Sequence, residues 1–297
     1  DDIGDDKFPK FVLQPVVTRR MREKTIQPEK FKVEVLAKNY LDPSTKIYFR
    51  YIDEFGTGDT TRMMVGLTAN RQALYFHFNQ FALQSFASDY SYVYPIARNV
   101  FDTFLSDARN AKRIGLKGII IDLRGNGGGD IRDLNFLAGR LVDRDVTFGY
   151  NRYKNGDNRR DYTPWLPAVL HPHPAGSFAV EVPIVLLVDQ NSVSMSEITT
   201  FALKAAYPQT TKIVGKTTWG GQGGLTGMTT FNAGVGYVGR DNRDIYFYTP
   251  VTAFKFIDGI MREGKGIAPD VDVDLDLGQL KKGIDTQLEA ALNLLNK

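Results

Sequence analysis

Three serines, spaced two residues apart, stand between a short apolar run and an amphipathic segment. Ser192, Ser194 and Ser196 follow residues 184–188, whose β-branched, uninterrupted apolar character predicts a strand buried on both faces. Apolar residues then recur every three or four positions, which predicts a helix. A serine at such a turn can attack a carbonyl carbon while the unpaired N–H groups of the first helical turn hold the oxyanion. Serine also caps helices well, so Ser194 is compatible with a nucleophile or with a cap.

A second strand–turn–helix pattern carries a glycine cluster. Residues 118–123 predict a buried strand, and residues 124–130 read Arg-Gly-Asn-Gly-Gly-Gly-Asp. The cluster lacks the Gly-Lys-Ser/Thr ending of a phosphate-binding loop. Asp130 stands where a dinucleotide fingerprint has its third glycine, and a carboxylate there would repel a pyrophosphate. The glycine cluster can therefore be either a set of backbone N–H donors for an oxyanion or a simple tight turn.

One of the three histidines lies in a predicted strand, residues 73–79. A period of two places Leu74, Phe76 and Phe78 on one face of that strand. The other face carries Tyr75, His77 and Asn79. By itself, this position is more typical of a hydrogen-bonded structural histidine than of a general base.

Composition excludes several classes of function. The chain has 297 residues, 42% of them hydrophobic, and a net charge of +3, with no block of Lys and Arg that predicts nucleic-acid binding. The absence of cysteine excludes disulfides and thiolate chemistry. No apolar run reaches the roughly 18 residues of a membrane helix. We expect no metal and no cofactor. Composition does not indicate an oligomeric state.

The element order predicts an α/β fold with a mixed, largely parallel sheet and helices on both faces. Sites in such sheets lie at the carboxyl ends of strands, where both polar turns are expected. Residues 1–68 predict a small β-rich N-terminal region that follows an acidic tail, and residues 69–297 predict the α/β domain.

Four segments, in this order, carry a family resemblance. Residues 122–129 resemble the Asp-Leu-Arg-x-Asn-x-Gly-Gly segment of the tail-specific, or C-terminal processing, proteases. Residues 192–197 are similar to the Ser-Ala-Ser-Ala-Ser-Glu nucleophile segment of that family. Residues 214–220 and 264–270 are similar to its two following landmarks. The resemblance covers roughly residues 70–275.

The resemblance implies a crotonase-like core, peptide or unfolded-protein substrates and an extracytoplasmic location (periplasm, cell envelope or secreted). It implies a serine peptidase that forms an acyl-enzyme. Carried over by position, Ser194 becomes the nucleophile, and the backbone N–H groups of Gly128 and Met195 become the oxyanion donors.

The general base departs from the commonest pattern of the family. Gly221 stands where many members have a lysine. The tricorn-like branch of the family uses a Ser-His-Glu triad instead. The segments of this chain around His77 and Glu263 resemble those of that branch, which implies that His77 is the base and Glu263 the carboxylate that orients it. Tyr75, Asn79 and Gln222 are weaker candidates for orienting these groups.

Two alternatives stay open: an enzyme with Lys216 or Lys212 as its base, and an inactive peptide- or ligand-binding protein on the same fold.

Overall fold

The computed structural model describes residues 35–36, 38–52, 59–87, 95–158, 160–224, 234–238 and 245–296. Within these ranges the strands are β1 (Lys46–Ile52), β2 (Asp59–Leu67), β3 (Ala73–Phe78), β4 (Gly118–Asp122), β5 (Val146–Tyr153), β6 (Leu166–Leu170), β7 (Ile184–Val188), β8 (Thr211–Gly215), β9 (Gly234–Val238), β10 (Ile245–Thr249), β11 (Thr252–Phe256) and β12 (Val271–Asp272). The helices are α1 (Leu83–Ala87), α2 (Pro95–Asn110), α3 (Asp133–Leu137), α4 (Met195–Ala206), α5 (Leu277–Lys281) and α6 (Thr286–Leu295).

The centre of the fold is a seven-stranded sheet in the order β1-β2-β3-β4-β7-β8-β12. The first two pairings are antiparallel, and the four from β3 to β12 are parallel. The predicted mixed, largely parallel sheet is therefore confirmed. Two smaller sheets accompany it, β11-β5-β6 and the pair β9 and β10.

Each central strand faces a different apolar cluster on each side of the sheet, because successive side chains point to opposite faces. On one side, the apolar stripe of α2 packs on β3, where the rings of Phe76 and Phe104 stack with centroids 4.1 Å apart. Helix α4 joins this cluster through Met195, Ala202 and Leu203. On the other side, α6 packs through Leu288 and Ala291. Helices therefore cover both faces, as predicted.

Some predicted positions are wrong at the level of single residues. The apolar spacing of residues 95–112 predicts a helix with Ile96 on its buried stripe, but Ile96 is 62% exposed. The apolar spacing after the glycine cluster likewise predicts a helix that buries Ile131, but Ile131 is 70% exposed, because α3 begins only at Asp133. Alternation at residues 31–35 predicts a strand, which lies outside the described residues except for Val35, and Val35 is helical.

The predicted boundary at residue 68 falls between two paired strands. β2 ends at Leu67 and pairs antiparallel with β3 across that boundary. The division into an N-terminal region and a catalytic domain stays a prediction.

The segment after β3 runs beside the glycine turn of residues 124–130. The Phe81 N–H donates to the Gly128 carbonyl and the Asp130 N–H donates to the Phe81 carbonyl, both over 2.8 Å. The buried Asp133 carboxylate then accepts bonds from the N–H groups of Leu83 (2.6 Å) and Gln84 (2.9 Å) at the start of α1. Asp133 thus fixes this segment against the turn.

Burial raises the pKa of Asp133 to about 6, although its two backbone hydrogen bonds act to lower it. The folded chain therefore keeps this proton to a higher pH than the unfolded chain, and the contribution of Asp133 to stability falls as the pH rises from about 4 to about 6. We expect this slope to be smaller in Asp133→Asn by up to about 1.4 kcal/mol per pH unit. Urea unfolding of both proteins between pH 4 and 7 measures it. The exposed Asp102→Asn serves as control, and equal slopes in wild type and Asp133→Asn would contradict the assignment.

Candidate active site

Ser194 adopts a strained backbone conformation at the turn between β7 and α4. Its φ is +57° and its ψ is −114°, and Arg71 is the only other non-glycine residue in the described ranges with positive φ. Such a conformation costs about 1–3 kcal/mol and persists only where the surroundings enforce it. The Val193 N–H donates to the Asn126 carbonyl (3.0 Å) and the Ser194 N–H donates to Glu197 Oε2 (3.0 Å). These bonds hold the turn on both sides of Ser194.

Gly128 lies directly against Ser194. Its φ is +92°, and a Cβ atom at this position would lie 2.7 Å from the Ser194 Cβ and 2.8 Å from the Val193 carbonyl oxygen. The same Cβ position would be 3.1 Å from the Met195 nitrogen. The structure therefore brings the predicted nucleophile and both predicted oxyanion donors together, in a space that only glycine fits.

Only one of the two candidate oxyanion donors already has a hydrogen-bond acceptor among the described residues. The Gly128 N–H donates to Asn126 Oδ1 (2.9 Å). The N–H of Met195, the first residue of α4, has no acceptor among the described residues. An oxyanion at this point would find the Met195 N–H available and would have to displace Asn126 Oδ1 to gain the Gly128 N–H.

The hydroxyls of the two neighbouring serines both donate hydrogen bonds to backbone carbonyl oxygens. Ser192 Oγ donates to the Leu123 carbonyl (2.8 Å) and Ser196 Oγ donates to the Asn126 carbonyl (2.7 Å). Both serines are fully buried, whereas Ser194 is partly exposed. Of the three serines, the geometry leaves Ser194 as the one with access to a substrate.

Asn126 connects β3 to the turn between β7 and α4 that carries Ser194, which we call the nucleophile turn. Besides its bonds to the turn, its Nδ2 donates to the Phe78 carbonyl (2.9 Å) at the end of β3. Asn126 is fully buried. In the sequence Asn126 is only one position of a motif, and nothing there showed that its side chain and its backbone carbonyl together would contact three separate segments.

Glu197 is the second residue whose importance the sequence analysis missed. Its carboxylate is fully buried and accepts five hydrogen bonds from the described residues. Three reach Oε1 and two reach Oε2. The donors are Thr218 Oγ1 (2.5 Å), Gly220 N (2.8 Å), Gln222 Nε2 (2.6 Å), Ser194 N (3.0 Å) and Gly221 N (2.9 Å). One buried charge therefore connects Ser194, the candidate nucleophile, to residues 218–224, which we call the glycine loop.

Glu263 contacts the same loop from its other side. Its Oε2 accepts the N–H groups of Gln222 and Gly223, both over 2.8 Å. Burial raises the pKa of Glu263, its two backbone bonds lower it, and the charge of Glu197 raises it further. Among the described residues the hydrogen bonds of Glu263 go to the loop and not to His77. Gln222 touches both carboxylates, through its N–H and its side chain.

His77 lies one residue before the end of β3 and is 3% exposed. Its Nδ1 is 3.0 Å from the Asp122 carbonyl oxygen. By strand alternation it shares the sheet face of Tyr75, which is opposite to the face where Met195 packs. A contact between His77 and Ser194 therefore has to be made around the carboxyl edge of the sheet.

The other two weaker candidates bond locally. Tyr75 Oη donates to Asp122 Oδ2 (2.7 Å), and Asn79 Oδ1 accepts the Arg62 N–H (2.7 Å). Burial, together with the charge of Asp122, raises the pKa of Tyr75, so its hydroxyl stays protonated. Tyr75 thus supports the strand that carries His77 rather than the nucleophile turn.

A buried ion cluster lies beneath the glycine turn. Arg124 bonds Asp122 through Nη2 (2.6 Å) and Asp285 through Nη1 (2.9 Å), and none of the three side chains is exposed. Burial alone would lower the pKa of Arg124, but the two carboxylates raise it well above its usual value. Asp285 also caps α6 by accepting the N–H groups of Gln287 and Leu288. The cluster therefore fixes the C-terminal helix to the strand end that carries the turn.

The lysine alternative finds little support in the geometry. Lys216 Nζ is 2.7 Å from Asp272 Oδ1 and 3.1 Å from Asp274 Oδ1. These hydrogen bonds raise the pKa of Lys216, which keeps it protonated and unsuited to accept a proton. Lys212 is exposed on β8.

Two further findings concern the described ranges only. They contain no group of three or more His, Cys, Asp and Glu side chains that could hold a metal ion. None of their helices has the length and apolar character needed to cross a membrane.

The sequence model of peptidase family S41 matches residues 73–273. The chain is 27% identical over 180 residues to the tricorn protease of Thermoplasma acidophilum and 26% identical over 179 residues to that of Thermoplasma volcanium. Each match covers 60% of this chain but only 14% of the relative, so the chain spans a small part of these proteins.

Solved structures show the same fold. A protein of Parabacteroides merdae, proposed to be a peptidase, aligns with a TM-score of 0.60 and 20% identity over 90% of this chain and 69% of that one. Mature CPAF in complex with lactacystin aligns with a TM-score of 0.55 and 15% identity over 84% of this chain and 53% of that one.

We expect Glu197→Gln to destabilise the fold by about 2–5 kcal/mol, because an amide turns two donor hydrogens towards N–H groups that need an acceptor. Chemical unfolding measures this loss. The matched control is Glu263→Gln, which changes the same loop but affects only two hydrogen bonds on one oxygen, so its loss should be clearly smaller. Equal stability of Glu197→Gln and wild type would show that the five bonds are not needed.

We expect Gly128→Ala to displace Ser194, because the new Cβ would overlap the Ser194 Cβ and because alanine is strained at φ +92°. The rate at which a fluorophosphonate labels Ser194 should fall at least tenfold. Gly127→Ala is the matched control, since a Cβ there meets nothing within 4 Å. Identical labelling rates in the two variants would refute the close packing of Gly128 on the nucleophile.

Proposed function

The chain belongs to peptidase family S41, and from that premise we propose that it is a serine peptidase. Its substrates are peptides or unfolded proteins, and its nucleophile is Ser194. The relatives that it matches are much longer, so the substrate class rests on the site and on the family. We also keep the extracytoplasmic location as a prediction from the family resemblance.

The observation that carries this proposal is the backbone of Ser194. A non-glycine residue with φ of +57° sits at the start of α4, beside a glycine packed against its side chain. Strain of this kind concentrates at functional sites, and a strand-to-helix turn of this type exposes the hydroxyl of a nucleophile. A serine that only capped the helix would need neither the strain nor the contact with Gly128.

In the proposed reaction Ser194 Oγ attacks the carbonyl carbon of the scissile peptide bond and His77 takes its proton. The negative charge that develops on the carbonyl oxygen is held by the Met195 N–H and, once Asn126 Oδ1 is displaced, by the Gly128 N–H. His77 then returns the proton to the leaving amine, which leaves an ester on Ser194. Water attacks this ester, and the acid product departs.

The orientation of His77 favours its role as a base. When Nδ1 carries the hydrogen and donates it to the Asp122 carbonyl, Nε2 keeps its lone pair and can accept a proton. In this tautomer the Asp122 carbonyl supplies the orienting contact that the family resemblance implied for Glu263.

We propose that Glu263 completes the triad through its second oxygen. Its Oε2 is bonded to the glycine loop, and its Oε1 accepts no bond from the described residues. Because the Asp122 carbonyl takes the Nδ1 hydrogen and Nε2 receives the Ser194 proton, this oxygen has no imidazole N–H to bind and acts on His77 through its negative charge. It would thereby stabilise the positive charge that His77 acquires when it takes the proton.

Labelling with a fluorophosphonate tests the nucleophile and the base. We expect one adduct on Ser194 in the wild type, none in Ser194→Ala, and labelling slowed by about 10²–10⁴-fold in His77→Ala, the usual contribution of a general base. Intact-protein mass spectrometry with peptide mapping measures it. Ser106→Ala, at an exposed serine of α2, should label like the wild type.

Two outcomes would overturn the assignment. Absence of labelling and of peptide cleavage in the wild type would leave the inactive binding protein as the better function. Unchanged labelling of His77→Ala together with loss in Lys216→Ala would move the base to that lysine.

A further inference from the structure

A patch of cations and aromatic rings covers the outer face of the small sheet β11-β5-β6. The register pairs Lys255 with Tyr150 and Ala253 with Arg152, and paired residues point to the same face. The intervening Phe254 and Phe256 point the other way and are buried in the core. We call this surface the cation–aromatic patch. Its members are Tyr150, Arg152, Lys154, Tyr162, Trp165 and Lys255.

Cations and rings alternate across the patch. The Arg152 guanidinium carbon lies 4.5 Å from the ring centroid of Tyr162 and 4.7 Å from that of Trp165. Lys255 Nζ lies 4.5 Å from the Trp165 centroid and 5.4 Å from that of Tyr150. These distances are within the range of cation–π attraction. The rings therefore hold the two cations in fixed positions at the surface.

Neither Arg152 nor Lys255 has a carboxylate partner among the described residues, and the enclosed Nε of Arg152 donates no hydrogen bond there. Other cations of the chain differ in this respect. Lys204, Lys216 and Arg262 each have an Asp oxygen within 3.1 Å. The patch thus presents two positive charges, held by their rings, for which the described residues of this face supply no negative partner.

We propose that the cation–aromatic patch binds an acidic segment, a run of Asp or Glu residues, of a polypeptide substrate. Guanidinium donors match carboxylate oxygens in geometry, and both cations are already positioned. Single-stranded nucleic acid fits less well, because its bases need open aromatic faces for stacking. Here the faces of Trp165 and Tyr162 are already occupied by cations.

The patch adjoins the candidate active site through β11. The Gly224 N–H, two residues past Gln222 of the glycine loop, donates to Thr252 Oγ1 (2.6 Å) at the start of this strand. Lys255 lies three residues further along, or about 10 Å at the rise of a β-strand. An extended chain several residues long can span that distance. Peptides with an acidic run on the side of the scissile bond that faces β11 are therefore the preferred substrates, a consequence that rests on the proposed peptidase function.

The binding arm of the test needs no catalysis. Fluorescence anisotropy of a labelled octaglutamate peptide is measured with the full chain carrying Ser194→Ala, at low and at physiological salt. We expect binding that weakens at least tenfold in Arg152→Gln/Lys255→Gln. The control, Lys281→Gln/Lys282→Gln, removes the same charge from exposed lysines at α5 and should bind within about twofold of the parent. If both double variants lose the same affinity for octaglutamate, the binding depends only on net charge and the proposal is overturned.

Two competitors identify the class of partner. Octaglutamate should be displaced by unlabelled octaglutamate and not by a single-stranded dT20 oligonucleotide at equal charge concentration. Stronger displacement by dT20 would overturn the proposal in favour of nucleic acid. Arg152→Lys keeps the charge but loses the planar fork, so it should bind with intermediate affinity if carboxylates are recognised by their geometry.

The cleavage arm compares two peptides that are identical except for an acidic run or a glutamine run beside the same scissile bond. We expect the acidic run to lower KM at least threefold with little change in kcat, and the Arg152→Gln/Lys255→Gln variant to lose this preference. Cleavage of both peptides with equal KM would refute the patch while leaving the peptidase intact. Octaglutamate binding without cleavage of either peptide would refute the peptidase while leaving the patch intact.

Discussion

One buried carboxylate, that of Glu197, holds the candidate site together. Taking a charged group out of water costs several kcal/mol unless hydrogen bonds replace the lost hydration. Here five donors from two segments replace it. Because the nucleophile turn and the glycine loop both need this acceptor, neither can move without leaving a buried charge under-bonded. The strain in the Ser194 backbone is balanced by this requirement.

A second buried charge acts in the same way at the other side of the turn. Arg124 is surrounded by Asp122 and Asp285 and has no exposed surface. The three side chains connect the end of β4 with the first turn of α6, which is distant in the sequence. Asp122 also presents its carbonyl to His77. The position of the candidate base therefore depends on the packing of the C-terminal helix, although that helix contributes no group to the reaction.

The small sheet links these internal constraints to the surface. Its inner face adds Phe254 and Phe256 to the main core, and its outer face carries the cation–aromatic patch. Because the start of β11 is hydrogen-bonded to Gly224, this strand connects the segment next to the candidate site with the patch. This connection favours recognition of a substrate segment on the β11 side of the scissile bond.

Local patterns in the sequence determined the fold class and the choice of Ser194 as the candidate nucleophile. Strands β3, β4 and β7 and helices α2 and α4 follow from apolar runs and periodicity, which depend only on neighbours in the chain. Ile96 and Ile131 were misplaced because periodicity does not show where a helix starts or how far the core extends. Ser194 and Gly128 could be named because each lies in a short, ordered motif.

Tertiary structure decided the roles of Asn126, Glu197 and Asp122, and it assigned the hydrogen bonds of Glu263 to the glycine loop. Several of their partners are distant in the chain, as with Glu197 and Thr218 (21 residues apart) or Asn126 and Phe78 (48 residues apart). No local pattern encodes such distances. A polar residue in a motif indicates only that a hydrogen bond is needed. Which distant group provides the partner is determined by the folded chain.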